Sequence, residues 1–448
     1  MGVLLTNGIR RSSLPGAISD LVTSQVDSQT LGVTFTGAAR ATSHQYRAAP
    51  RINQQSGTLR TGMWCAPRTL SANQVPGLMA QHPYDVQVRG VNGYGVGPWS
   101  NMAADAATAT TASTKNGTTT ISQPSDSYIA GMVYDNQWTF SGARKVIDFS
   151  FPTATSQYTH DTGSYGGGEL STFSALSTTQ KNYMRRVLFN IAIECNLEFV
   201  EITETDTVHA ELRYANTTTN LAGASAFTYL IASDSGDHAS GDTWFSASLL
   251  ANPVNGNFAG FVMHHEPGHG LGLDHASNGN AFTNIPSDRD TMNWTVMSYR
   301  VFQGNTPGSG FTLTNEYPQQ LGPYDILAYQ FLYGVNTFFD GDAEFTFTIC
   351  PADTFINGVS QGGSAAGRIV RTLWSGGGQT TINLRVNGWD PAEMTLSKSP
   401  DSVSIIKPTM LSLIAVGHPS EGNLYMPVRL AGNTAGDVES ILYDGGSV

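Results

Sequence analysis

Short runs of alternating apolar and polar residues open the chain. LGVTF at 31–35 and YDVQVR at 84–89 each put their apolar side chains on one face, the pattern of half-buried strands. Similar runs, broken by turn residues, fill 14–106 and predict an all-β module. The stretch 107–120 has no apolar period and no large side chain. It cannot offset its ordering entropy by burial and reads as a flexible linker. From 121 to 345 the pattern becomes mixed. A strand at 146–151 stops at Pro152, and 197–202 and 210–214 are further strand candidates. Ser177 and Gln180 form a capping-box signature, after which Tyr183, Val187, Leu188, Ile191 and Cys195 recur at helical spacing. A second helical pattern begins at Tyr324 and ends on Gly334. From 346 to 448 the chain is again β-like, with Gly-rich turns and no long helix. The expected fold is therefore multidomain: an all-β sandwich, an α+β domain and a Gly-rich β C-terminal region.

Composition sharpens this picture. At 448 residues the chain is long enough for two to four domains. Its charged fraction of 13% is low, Gly numbers 48, and the net charge is −12. An acidic balance without a Lys/Arg run argues against nucleic acid as a partner. No apolar run is long enough for a membrane-spanning helix. Three cysteines, Cys65, Cys195 and Cys350, lie in three different regions and cannot make a disulfide framework. The start, MGVLLTNGIRRSSLPG, holds only a short apolar stretch and does not read as a secretory signal.

One segment carries chemistry. His265-Glu266-Pro267-Gly268-His269-Gly270-Leu271-Gly272-Leu273-Asp274-His275 completes the pattern HExxHxxGxxH. On a helix His265 and His269 lie one turn apart, so both imidazoles project from one face. Gly272 gives the backbone freedom to turn sharply and return His275 to the same point. Three neutral nitrogens can hold one Zn²⁺ and leave a position for water, the arrangement of a catalytic site. Glu266 points elsewhere on the helix, where a carboxylate can take a proton. Pro267 is costly in a helix interior, so the helix is expected to begin close by, near His264. His264 itself points away from the other two and reads as a flanking residue. His44, His82, His160, His209, His238 and His418 have no ligand spacing.

The extended motif, with Trp294-Thr-Val-Met-Ser-Tyr299 downstream, resembles the metzincin zinc metallopeptidases, and the serralysin branch in particular. FSFPT from 149, SGDTWF from 240 and PYDILAYQFLYGVN from 323 resemble further serralysin segments, in the same order. The resemblance implies a zinc endopeptidase that hydrolyses extended polypeptides with metal-activated water and Glu266 as general base. It implies His265, His269 and His275 as zinc ligands and Met297 as the Met-turn residue. Tyr299 would be a further ligand that hydrogen-bonds the transition state. It also implies an edge strand at Ala222, Gly223, Ala224, Ser225 and Ala226 along which substrate lies antiparallel. Leu78, Tyr84, Asn92, Gly97, Pro98 and Ser100 fall where a fibronectin type III domain has its tyrosine corner and last hairpin. Tyr84 would then bury its ring and bond its hydroxyl to the preceding turn.

The C-terminal part departs from serralysins. They carry tandem GGxGxDxUx repeats that bind Ca²⁺, whereas WSGGGQTTINL from 374 substitutes Gln379 and Thr381 for the oxygen-rich pattern. Calcium is therefore a possible cofactor that the repeats do not support. The expected partners are polypeptide substrates and a surface ligand of the fibronectin-like module, with no nucleic acid and no membrane insertion. The expected location is extracellular or virion-associated. The rival reading is a catalytically weak adhesion or virion-surface protein that binds through that module.

Overall fold

The computed structural model describes residues 13–447 except 28, 54–58, 62–63, 66, 80–81, 107–115, 142–144, 162–164, 166–167, 206, 220–222, 234–237, 278–280, 311–314, 337–346, 351–352, 357–358, 365, 375, 377–379, 385–389, 414, 416, 431–437, 439 and 444–445. It is a multidomain, β-rich structure in two compact units: Met1–Arg51 with Thr61–Thr110, and Ile52–Arg60 with Thr111–Val448. None of its helices is long and apolar enough to cross a membrane, among the described residues.

The chain as far as Thr110 holds β1 (Val22–Asp27), β2 (Thr30–Thr34), β3 (Ser43–Asn53), β4 (Leu59–Thr61), β5 (Arg68–Thr69), β6 (Gln74–Val75), β7 (Pro83–Asn92), β8 (Gly95–Val96) and β9 (Ala103–Ala106). One sheet runs β1-β2-β6; the other runs β4-β3-β7-β8, with β5 also on β3 and β9 also on β7. Alternation along β7 sends Tyr84, Val86 and Val88 inward to join Leu31, Val33, Tyr46, Ala48, Val75 and Leu78 in the core. The Tyr84 hydroxyl accepts the Met79 N–H at 3.2 Å, closing the expected tyrosine corner. Cys65 is buried as a free thiol, as is Cys195 in the second unit.

The second unit starts with β10 (Gly117–Thr120), the four-residue helix α1 (Ser127–Ala130) and β11 (Asn136–Thr139). Here the linker expectation needs correction. Residues 107–115 lie outside the described residues, but Gly117–Thr120 is a strand antiparallel to β11. Its β-branched threonines suit a strand, and Asn116 anchors it by donating to Glu211 and to the Val146 carbonyl.

A five-stranded sheet follows, built from β12 (Val146–Ser150), β13 (Glu198–Glu201), β14 (Leu212–Thr217), β15 (Ala226–Thr228) and β16 (Thr243–Ser246). Its order is β13-β12-β14-β16-β15. All neighbours are parallel except β15, which runs antiparallel to β16 at the edge. Three longer helices accompany it: α2 (Thr178–Glu194), α3 (Phe258–Gly270) and α4 (Pro323–Tyr333). The Ser177–Gln180 capping box forms in full at the start of α2, and α4 ends at Gly334 with φ +86°.

Beyond these lie β17 (Phe347–Cys350), β18 (Asp353–Ile356), β19 (Val359–Ser360), β20 (Arg371–Thr372), β21 (Thr381–Leu384), β22 (Val403–Ser404), β23 (Leu424–Tyr425), β24 (Ser440–Tyr443) and β25 (Gly446–Ser447), in three small sheets. Val370, Trp374, Ala415 and Tyr425 belong to the same apolar cluster as Met263, Met297 and Tyr329, so this region shares a core with the helices. Trp294 links the two: its ring meets Tyr425 edge-on at 4.9 Å, and its Nε1–H donates to Glu421 at 2.8 Å.

An ion pair is buried at β14. Arg213 of β14 donates to both oxygens of Asp242, at 2.9 and 2.7 Å, with both side chains 1% exposed. Its guanidinium also lies 4.7 Å from the centre of the Tyr158 ring. Removing one member of such a pair strands the other charge. Asp242→Asn is expected to lower the unfolding free energy by about 3–5 kcal/mol, read as a urea midpoint by circular dichroism. An unchanged midpoint would show the pair to be dispensable.

Candidate metal centre

Asn257 caps α3, its side chain accepting the Gly260 N–H at 2.7 Å. Every residue from Ala259 to Gly270 is buried. A helix enclosed on all sides shows no amphipathic stripe, and this hid its true start. The expectation that it begins near His264 is corrected: it begins at Phe258, and Pro267 sits inside it. Pro267 lies three residues from the end of the helix, where its missing N–H forfeits a single hydrogen bond, to Met263.

The chain leaves α3 through Gly272, at φ +92°, where a Cβ would stand 2.9 Å from the Asn136 carbonyl. Leu273 N–H returns to the Gly268 carbonyl at 2.8 Å. Two further bonds, Tyr134 N–H to Gly272 O and Asp274 N–H to Met132 O, pin the outgoing segment. Asp274 then accepts the His275 N–H at 2.7 Å and the Ala281 N–H at 3.1 Å.

Three imidazoles converge as a result. His269 Nε2 lies 3.1 Å from His265 Nε2 and 3.0 Å from His275 Nε2. His265 Nδ1 is 2.7 Å from the Val296 carbonyl and His269 Nδ1 is 3.0 Å from the Leu273 carbonyl. A carbonyl only accepts, so each of these Nδ1 atoms carries the proton and each Nε2 presents a bare lone pair. Burial lowers the pKa of all three. His265 falls to about 3, with His275 adding to the effect, and His275 to about 4. His269 is held well below the ordinary range by burial and by its two neighbours. Among the described residues this is the one group of three or more His, Cys, Asp or Glu side chains able to hold a metal ion. His264 faces elsewhere, its Nδ1 on the Gly260 carbonyl at 2.8 Å and its ring against Tyr183.

Tyr299 reaches the same point, with its hydroxyl 2.7 Å from His275 Nε2. Burial, then the nearby carboxylates of Glu266 and Asp274, push its pKa up to about 12. Met297 packs beneath α3: a Cβ on Gly268 would stand 2.7 Å from the Met297 sulfur. Met297 also accepts the Ala276 N–H on its carbonyl at 3.1 Å, tying the turn to the histidine loop.

Several positioning groups went unread in the sequence. Asp325 of α4 accepts from Thr295 Oγ1 at 2.6 Å, from Val296 N–H at 2.9 Å and from Gly322 N–H at 2.7 Å. Asp290 accepts from Ser298 Oγ and from Arg300 Nε, both at 2.7 Å. Asp325 sits three residues after Gly322, a capping position that could have signalled it. Thr228 of β15 lies beside Glu266, its Oγ1 2.7 Å from Glu266 Oε2 and 3.1 Å from the Glu266 carbonyl. Burial raises the Glu266 carboxyl to about 7, and the Thr228 contact opposes that shift.

The expected edge strand is displaced along the chain. Ala222 lies outside the described residues, and Gly223, Ala224 and Ser225 form a turn rather than a strand. The strand at the edge is Ala226–Thr228, because Gly223, at φ +90°, turns the chain just before it.

Comparison with known proteins agrees with the class of site that this geometry defines. Over about half its length the chain is serralysin-like. It is 29% identical over 228 residues to metalloprotease AprA of Pseudomonas entomophila, covering 48% of this chain and 45% of that protein. It is 30% identical over 168 residues to serralysin A of Dickeya chrysanthemi, covering 36% and 33%. With serralysin of Proteus mirabilis it shares 27% over 267 residues, covering 53% and 49%. The chain thus spans half or less of the length of these relatives. No family model matches. Similar solved structures include the FN5 domain of Drosophila Lar, at 17% identity, 22% of this chain, all of that one and a TM-score of 0.18. The third fibronectin III domain of human KIAA0343 matches at 21% identity, 25% of this chain, 99% of that one and a TM-score of 0.19.

The packing under Gly268 yields a prediction. Alanine normally gains about 1 kcal/mol over glycine inside a helix. At Gly270 a Cβ meets nothing closer than 3.3 Å, whereas at Gly268 it collides with the buried Met297 sulfur. Gly268→Ala is therefore expected to melt below Gly270→Ala, with overpacking costing about 1–3 kcal/mol. Differential scanning calorimetry of the two variants checks this, and a reversed order would refute it.

Proposed function

We propose that this chain is a zinc-dependent endopeptidase that acts outside the cell on extended polypeptides. In this reading 14–106 is a fibronectin III-like module, 121–345 has the metzincin arrangement, and 346–448 packs onto it. The observation that carries the proposal is the meeting of three Nε2 atoms, with the Tyr299 hydroxyl at the same point. The donor set fits zinc. Tetrahedral nitrogens at roughly 2.05 Å from one ion lie about 3.3 Å apart, close to the 3.0 and 3.1 Å observed. His265, His269 and His275 would hold the ion, with Tyr299 in reach. Bound there, it supplies a Lewis acid that acidifies water and polarises a carbonyl.

The chain's own groups do the rest. Glu266 takes a proton from the attacking water and delivers it to the leaving amine. Thr228 Oγ1 fixes one carboxyl oxygen by donating to it. Tyr299 donates to the oxyanion as it develops, an interaction made mainly in the transition state. One side of β15 pairs with β16, and its outer side offers main-chain groups to a substrate strand. Pairing by backbone alone implies a loose side-chain preference. The likeness to metalloproteases does not favour the binding-protein reading.

Digestion of unfolded casein tests the proposal. Glu266→Ala is expected to lose about 10²–10⁴-fold in kcat while elemental analysis still finds one zinc per chain. Tyr299→Phe is expected to lose less, mainly in kcat. Chelator should abolish cleavage and lower the melting temperature, both restored by zinc. Equal cleavage by wild type and Glu266→Ala would overturn the assignment.

A further inference from the structure

Strand pairing in the first unit builds a cationic face that the linear sequence conceals. Residues 1–110 hold eight arginines and four aspartates, with no lysine or glutamate, a net charge of +4 in a chain of net −12. In the β3–β7 register Gln45 stands opposite Arg89, and Arg47 opposite Gln87. Gln87 Oε1 accepts from Arg47 Nε at 3.0 Å and Nη2 at 2.6 Å. Gln45 Oε1 accepts from Arg89 Nε at 3.0 Å and Nη2 at 2.9 Å. The Gln87 amide is itself fixed by donating to the Ser100 carbonyl at 2.9 Å.

Indole rings complete the stack. The Arg47 guanidinium lies 4.4 Å from the Trp64 ring centre and 4.6 Å from that of Trp99, and Arg89 lies 4.3 Å from Trp99. Both cations share one indole, so at most about 9 Å separates them. Among the described residues no carboxylate forms an ion pair with either. Glutamine thus orients each guanidinium without neutralising it, and burial together with Arg89 lowers the Arg47 pKa. The Nη1 edges of both are left for an outside acceptor, and all six side chains are only half-buried.

We propose that this face binds a sulfated polysaccharide. The face presents two rigid N–H forks on a sheet surface, which suits oxyanions recognised in pairs. Sulfate esters remain ionised at all relevant pH and match a stacked, weakly hydrated guanidinium. The proposal stands apart from the metal centre.

The test uses the full chain passed over immobilised dextran sulfate at physiological salt, with neutral dextran, hyaluronan and polyglutamate as parallel surfaces. Wild type is expected to bind dextran sulfate selectively. Gln45→Glu places a carboxylate against the Arg89 guanidinium and keeps the stack. It is expected to weaken binding roughly tenfold with no fall in melting temperature. Arg89→Gln, tested separately with its melting curve, is expected to weaken binding as well. Unchanged affinity in the folded variants, absence of wild-type binding to dextran sulfate, or equal binding to polyglutamate or hyaluronan would overturn the proposal.

Discussion

Everything at the centre of the second unit depends on three imidazoles being held neutral with their Nε2 atoms facing one another. Nothing about this arrangement is favourable by itself. Three imidazoles with their Nε2 atoms near 3 Å apart leave no room for charge on any of them, and burial lowers the pKa of each. It persists because the opposite edges of the rings are fixed. The Val296 and Leu273 carbonyls take two of the Nδ1 protons, and Asp274 grips the backbone of the third histidine. Two of those anchors come from the turn that leaves the helix, so the left-handed Gly272 sets ring orientation as well as chain direction.

The same centre is tied to the sheet and to the C-terminal region by acids that bear no metal-ligand spacing. Asp325 holds the 295–296 backbone to α4, and Asp290 holds Ser298 and Arg300. Trp294, just upstream, is clamped by Glu421 and Tyr425 from far along the chain. Thr228 makes the corresponding link to the edge strand, joining the strand open to a partner to the carboxylate beside the ligand helix. A shift in any of these would move Val296 or Glu266, and so the rings or the carboxyl, without touching a histidine.

How much of this could be read from the chain depended on whether the governing contacts were local. The capping box at Ser177, the alternation along β7 and the Tyr84 corner were legible because each is decided within a few residues. HExxHxxGxxH was legible because helix geometry and one glycine suffice to gather its histidines. The start of α3 was not, since enclosure on every side erased its apolar stripe. Gly117–Thr120 read as linker because its partner, β11, supplies the burial that the threonines lack. The edge strand was placed a few residues early because the turn at Gly223 interrupts it. Arg47 and Arg89, distant in sequence, became neighbours only through register.

Pro267, Gly268 and Gly270 together make α3 a poor helix by intrinsic propensity, and each violation has a different resolution in the packing. Pro267, the tenth of the thirteen helical residues, forfeits its hydrogen bond to the Met263 carbonyl and is held by burial on every side. Gly268 admits the Met297 sulfur, and Gly270 lies against the Gly241 backbone. Local rules are broken most densely where the site is, which is where a fold is expected to trade propensity for function. Burial adds to that burden, lowering the pKa of all three imidazoles and raising that of the Glu266 carboxyl. A cation held by the three nitrogens would favour the neutral imidazoles and the charged carboxylate at once. An ion bound only by the folded arrangement would in turn stabilise this unit.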